Sequence, residues 1–264
     1  MDDLVRFPQL PDVQSLADNR ALAIDAVGIR RLRSPVTIRT GEGEQATIAT
    51  FSMAVALPAA VKGTHMSRFV ELLEERTEAL DPRGFRSLVR EMLDRLGAKG
   101  GSVGMQFPLF RVKAAPVSGV ESRLDYEVCW WGEQSPDGSY SFRMKVGVPV
   151  TSLCPCSKEI SAYGAHNQRS LLSIEAELTA PLEMNELIEI AESAASCEVY
   201  GVLKRPDEKY VTERAYENPK FAEDLVRDVA VDLNRDARVR SFVVEAENFE
   251  SIHNHSAFAR LKSR

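Results

Sequence analysis

The stretch Thr151–Ser170, TSLCPCSKEISAYGAHNQRS, sets Cys154 and Cys156 on either side of Pro155 and puts His166 ten residues after the second thiol. A disulfide across one residue is strained, because bridge geometry wants the two Cα atoms well separated. Metal binding, a reactive thiol and simple packing remain as readings. His253 and His255, in SIHNHSAF, make a second pair at the same spacing, and in extended chain such residues face one side. Thiolate and imidazole together suit Zn²⁺ or another borderline divalent cation, and a catalytic site uses about three protein ligands plus water. An ion held that way lowers the pKa of its water towards about 7. The plainer alternative makes the cysteines small core residues and the histidines loop residues. The C-x-C spacing alone does not decide.

Other groups weigh less. Cys129 beside two tryptophans in a strand, and Cys197 at an apolar helix end, read as packing residues, and His65 reads as structural. Glu208 in RPDEKY reads as a solvated loop carboxylate, and Glu223 and Asp224 in KFAEDL as the polar face of a helix. Lys158, Arg169, Lys204, Arg205 and Arg214 have the charge to clamp phosphates, although single basic residues more often lie idle on a surface. Neither G-x-x-x-x-G-K-[ST] nor G-x-G-x-x-G occurs, so any nucleotide needs a pocket particular to this fold.

The chain that must position these groups has 264 residues, 44% hydrophobic and 27% charged, with a formal net charge of -6. That balance suits one large domain or two small ones and argues against a general nucleic-acid binder. Four cysteines do not make a disulfide framework in a chain this long. No apolar run reaches the roughly 20 residues of a membrane span, and the acidic start MDDLVR lacks the features of a secretion signal. A cytoplasmic protein is the expectation.

Residues 1–20 read as an irregular lead-in. Residues 22–40 and 45–58 alternate and are rich in β-branched types, with GEGE between them, which predicts an antiparallel hairpin. A helix is expected over MSRFVELLEERTEAL, with Phe69, Leu72, Leu73 and Leu80 near helical spacing. A second follows over FRSLVREMLDRLGA, where Phe85, Leu88, Val89, Met92, Leu93 and Leu96 repeat at i, i+3, i+4, i+7. Strands are expected at 103–115, 121–132 and 139–150. The second half repeats the layout: a strand at 169–179, helices at 184–196 and 218–235, and a closing strand pair. Asn218 reads as the cap of the last helix and Pro219 as its first residue. GTHMSR (63–68) and GAHNQR (164–169) share G-x-H-x-x-R, which supports a duplication with metal-capable groups kept in the second copy alone.

Three motifs taken together, VPVTSLCPCSKEISAYGAHNQRS, YVTERAYENPKFAED and ESIHNHSAFA, resemble the type IB GTP cyclohydrolases over nearly the whole chain, including DVQ near the start. The resemblance implies an α+β tunnelling fold of tandem ββααββ-type modules with antiparallel sheets and helices packed on one face. It places a first module at 21–135 as scaffold and a second at 136–264 that carries the site. It implies a homotetramer with interfacial active sites, GTP as substrate, no nucleic-acid or membrane partner, and a divalent ion: Zn, Mn or Fe. Carried over by motif, Cys154, His166, Glu208 and His253 form the metal shell. Cys156 and His255 lie close by, as ligands or in acid–base duty beside Cys154. Glu223 accepts hydrogen bonds from guanine, since a carboxylate offers two acceptor oxygens to adjacent N–H donors. Lys158 and Arg169 are the substrate-binding cations expected nearby. The implied reaction opens the purine at C8, releases formate and yields 7,8-dihydroneopterin triphosphate, the first step of tetrahydrofolate synthesis. Two alternatives compete. One is a related tunnelling-fold enzyme, either an archaeal-type cyclohydrolase making a cyclic phosphate or a reductase of a deazapurine nitrile. The other is a non-enzymatic purine or pterin binder with a structural metal.

Overall fold

The computed structural model describes residues 11–263, so the first ten residues of the expected lead-in lie outside the described residues. Within the rest of the lead-in, the Asp12 carboxylate pairs with His65 Nε2 at 3.0 Å, a structural use of that histidine.

β1 (Ile24–Thr40) and β2 (Gly43–Leu57) form the expected hairpin, turning tightly where Gly43 takes φ 130, a conformation that suits glycine. α1 (Ser67–Glu74) and α2 (Pro82–Leu96) follow, then β3 (Gly101–Ala114) and β4 (Glu121–Gln134). β5 (Tyr140–Leu153), a short α3 (Pro155–Ile160) and β6 (Asn167–Leu178) open the second half. α4 (Met184–Ala194), the two-residue β7 (Cys197–Glu198), α5 (Arg205–Glu217) and α6 (Ala222–Arg235) lead to β8 (Val239–Asn248) and β9 (Ala257–Lys262). The order ββααββ thus occurs twice, the second time with α3, β7 and α5 inserted.

All the longer strands join one antiparallel sheet in the order β1-β2-β3-β4-β5-β6-β8-β9, with β7 pairing to β5. Period-two burial turns one face of each strand inward, for example Phe51, Met53 and Val55 on β2 and Val146, Val148 and Val150 on β5. The apolar stripes of α1, α2, α4 and α6 cover that face. Trp130 sits at the middle of the first half's core, edge-on to Phe85, Phe107 and Phe142 at centroid separations of 5.4 to 5.9 Å. α2 starts cleanly because Asp81 caps it, accepting from Gly84 N at 2.6 Å.

Four expectations need correction. The first helix stops at Glu74, because Leu80 is drawn into backbone pairing with β1: its N–H donates to Thr37 O and its carbonyl accepts from Arg39 N, both at 2.8 Å. Glu208 is not on a loop, since RPDEKY opens α5. That helix buries only Asp207 and Ala215, so it carries no apolar stripe for periodicity to detect. Asn218 caps the C-terminus of α5, its N–H donating to Arg214 O at 3.1 Å, and α6 begins at Ala222. The two G-x-H-x-x-R stretches occupy unlike places: the first runs into α1 after the second strand of its half, the second runs into β6 after the first strand of its half. The repeat rests on element order, not on that echo.

Candidate metal centre

Cys154 and His166 meet where β5 ends and β6 begins. Cys154 N donates to His166 O at 3.1 Å, so the two residues continue the β5–β6 ladder by one more bond. Between them the chain forms α3, which Pro155 can open because its first position needs no N–H. Cys154 Sγ caps that turn, accepting from Ser157 N at 3.5 Å. Ser157 Oγ donates to Cys154 O at 3.1 Å and accepts from His166 N at 3.2 Å, clasping the two ends of the segment. Both Cys154 and His166 are half-buried, while Cys156 is exposed.

His253 and His255 lie in the segment between β8 and β9, exposed, with rings stacked at 5.1 Å and 13°. The segment is bent rather than extended, yet the rings still face one another. It starts beside the first pair, since Phe249 N donates to Arg169 O at 3.0 Å and Ser251 Oγ lies 3.5 Å from His166 Nδ1. The entry to α6 is at the same end of the sheet: Lys220 N donates to Leu153 O at 3.0 Å, and Glu223 stands three residues on, exposed in the first turn.

Glu208 is held elsewhere. Lys158 on α3 donates to Tyr216 O at 2.5 Å and lies 4.5 Å from that tyrosine's ring, which fixes the far end of α5 to the site. Glu208 is eight residues before Tyr216, about 12 Å back along the helix. Among the described residues no three His, Cys, Asp or Glu side chains converge to hold an ion. Arg169 is exposed and forms no salt bridge among the described residues, whereas Arg214 is paired with Glu198 at 3.3 Å.

The residues present fit a divalent ion in part. Gln168 Oε1 lies 2.8 Å from His166 Nδ1, and an amide oxygen only accepts, so the tautomer that makes this hydrogen bond is the one with Nδ1–H and a lone pair on Nε2. A half-buried thiol and a ring nitrogen freed for coordination supply two donors of the right softness. Cys129 and Cys197 do not: burial pushes Cys197 up to about 11 and also raises Cys129, so neither favours the thiolate.

Asp207, beside Glu208, anchors the start of α5. Fully buried, its carboxylate accepts from Val117 N, Ser118 N and Lys204 N at 2.8 Å each and from Ser118 Oγ at 2.6 Å. Burial alone would raise its pKa, but the Ser118 side chain and these backbone donors outweigh it and hold the carboxyl well below the usual range. A group depressed in the folded state stabilises above its unfolded pKa and loses that contribution as pH falls. Asp207→Ala should therefore lower the melting temperature by on the order of 5 °C at neutral pH, with the gap to wild type narrowing below about pH 4. Calorimetry at both pH values checks this, and an unchanged gap would refute it.

The fold resembles solved urate oxidases. A hyperthermostable mutant of the Bacillus sp. TB-90 enzyme superposes with TM-score 0.54 at 9% identity, covering 91% of this chain and 98% of that one. Uricase from Arthrobacter globiformis gives 0.51 at 8%, covering 90% and 92%. With its single antiparallel sheet and one-sided helices, the chain is an α+β protein of the tunnelling-fold class. Residues 10–259 match the family described as Type I GTP cyclohydrolase folE2. GTP cyclohydrolase FolE2 of Neisseria meningitidis is 59% identical over 252 residues, 96% of this chain and 84% of its own. The same-named protein of Paraburkholderia phymatum is 59% identical over 255 residues, 96% and 95% of the two chains. The chain belongs to the FolE2 family of type I GTP cyclohydrolases. Among the described residues, no helix is long and apolar enough to cross a membrane.

The sequence reading missed Ser152, Gln168, Ser170 and Asn248, which lie buried beneath this site. A signal was present: Ser152 on β5, Asn248 on β8 and the pair Gln168 and Ser170 on β6 end inward-facing rows that are otherwise apolar, such as Phe242, Val244, Ala246, Asn248 on β8.

Proposed function

We propose that this protein is a GTP cyclohydrolase of the type IB subdivision that hydrolyses GTP at purine C8, giving formate and 7,8-dihydroneopterin triphosphate for tetrahydrofolate synthesis. Family membership at 59% identity over 96% of the chain carries the reading, and the meeting of Cys154 with His166 supports it. In the balance, two waters enter, at ring opening and at deformylation, and one leaves when the new ring closes, so net consumption is one water per formate.

Cys154 and His166 Nε2, with Glu208 and His253, are the proposed ligands of a Zn, Mn or Fe ion. When bound, such an ion supplies Lewis acidity and solvent of lowered pKa. Glu223 at the positive end of α6 holds the guanine N–H groups, while Lys158 and Arg169 face the substrate's charge. Cys156 and His255 move protons at the purine and ribose, for which thiol and imidazole are suited. The first half of the chain is scaffold and the second half carries the site. Glu208 and both terminal histidines are exposed, which supports a homotetramer whose sites are completed between subunits. GTP is the small-molecule substrate, a cytoplasmic metabolite, and no nucleic acid or membrane is involved.

Chelation should abolish formate release, and a divalent ion should restore it, with the melting temperature nearly unchanged throughout. Formate and pterin fluorescence are the readouts. No turnover with Zn²⁺, Mn²⁺ or Fe²⁺ supplied would overturn the proposal, as would NADPH consumption with a nitrile substrate. Loss of fold on chelation would point to a structural metal instead.

A further inference from the structure

Beneath the candidate centre, four buried polar side chains form one continuous hydrogen-bonded line. Gln168 Nε2 donates to Ser152 Oγ at 3.1 Å, Ser152 Oγ is 2.7 Å from Ser170 Oγ, and Ser170 Oγ donates to Asn248 Oδ1 at 2.8 Å. None of the four is more than 7% exposed. Since Ser170 spends its hydrogen on Asn248, Ser152 donates to Ser170 and the line has one polarity, from His166 Nδ1–H through to the Asn248 oxygen.

Their positions are not scattered. The register pairs Gln168 with Ser152, and Ser170 with both Val150 and Asn248, so the line crosses β5, β6 and β8 side by side. Ser152 is two residues before Cys154, Gln168 two after His166, and Asn248 five before His253. Higher in the same rows the inward positions are apolar, among them Val150, Leu172, Ile174, Val244 and Ala246. Apolar residues would fill those last places without the desolvation that buried amides and hydroxyls incur. What the polar line provides is orientation. An imidazole that ligates through one nitrogen is set by the hydrogen bond at the other.

We propose that Gln168, backed by Ser152, Ser170 and Asn248, is a positioning residue that locks His166 as the Nδ1–H tautomer and presents Nε2 to the divalent ion. The inference rests on the metal reading above, and its test separates the two. Histidine-selective ¹⁵N NMR of metal-free wild-type protein at pH 8 reads the tautomer directly, with only four histidines to resolve and His166→Gln to assign the signal. His166 should carry its hydrogen on Nδ1; a hydrogen on Nε2 overturns the proposal. Zn²⁺ affinity, measured in competition with a chromophoric chelator, should fall about 10- to 100-fold in Gln168→Met, which keeps the volume and loses the acceptor. Gln168→Glu keeps the acceptor and should stay within about threefold of wild type, even though a buried carboxylate lowers its melting temperature. Affinity that merely follows stability across the two variants, or a Gln168→Met protein that binds like wild type, overturns it. Wild-type protein that binds no Zn²⁺ would sink the metal reading, while the NMR result would still score the tautomer.

Discussion

Cys154→Ala should reduce formate release from GTP by at least about 10³-fold, the scale of loss when a group acting directly on the reacting centre is removed. Folding should barely notice. Among the described residues the side chain's one hydrogen bond is the weak Sγ cap on Ser157 N at 3.5 Å, and losing a cap costs about 1 kcal/mol. The bond from Cys154 N to His166 O is backbone and survives the change. Turnover, melting temperature and size-exclusion elution, compared in one preparation, check the claim. A variant that turns over like wild type would remove Cys154 from the centre, and one that unfolds would make its role structural.

The largest stability effect is expected at Glu192 on α4. Its carboxylate takes Lys113 Nζ at 2.6 Å and the Tyr126 hydroxyl at 2.9 Å, and Lys113 also donates to Val199 O at 3.0 Å beneath the Tyr200 ring. Burial, then the Glu192 charge, pushes the Tyr126 hydroxyl well above its ordinary range, so it stays a donor. Glu192→Leu leaves an ammonium and a hydroxyl buried without their acceptor and should cost about 3–5 kcal/mol, or roughly 10 °C in melting temperature. Replacing the whole set, Lys113→Met with Tyr126→Phe and Glu192→Leu, should recover most of that loss, because no buried charge is then left unpaired and the remaining loss is the Lys113 donor to Val199 O. Denaturant unfolding of the two proteins is the test. A triple variant no more stable than the single one would mean that the pair itself, not its uncompensated remnant, holds α4 to β3 and β4.

Legibility in the sequence followed the strength of each local signal. Long strands and α2 stood out because alternation and the i, i+3, i+4, i+7 pattern record burial on one face. α5 left no such trace: Asp207 and Arg214 tie it down in place of an apolar stripe, so Glu208 read as a loop residue. α1 was overextended because Leu80 had helical spacing but found partners on β1. Asn218 and Pro219 look like a helix start in one dimension, and only the packing of Asn218 Nδ2 on Ala195 O at 2.8 Å reveals a helix end.

Residue types and motif spacing by themselves determined the family, the kind of chemistry, and the cysteines and histidines to watch, since these are carried by side-chain identity along the chain. Tertiary structure decided which of those groups meet. Cys154 joins His166 because β5 and β6 pair in one register, whereas Glu208 is carried away by a helix whose direction no local pattern records. It also decided what lies underneath: Gln168, Ser152, Ser170 and Asn248 are unremarkable letters until three strands set them in contact, because a hydrogen bond depends on distance in space and not on separation along the chain.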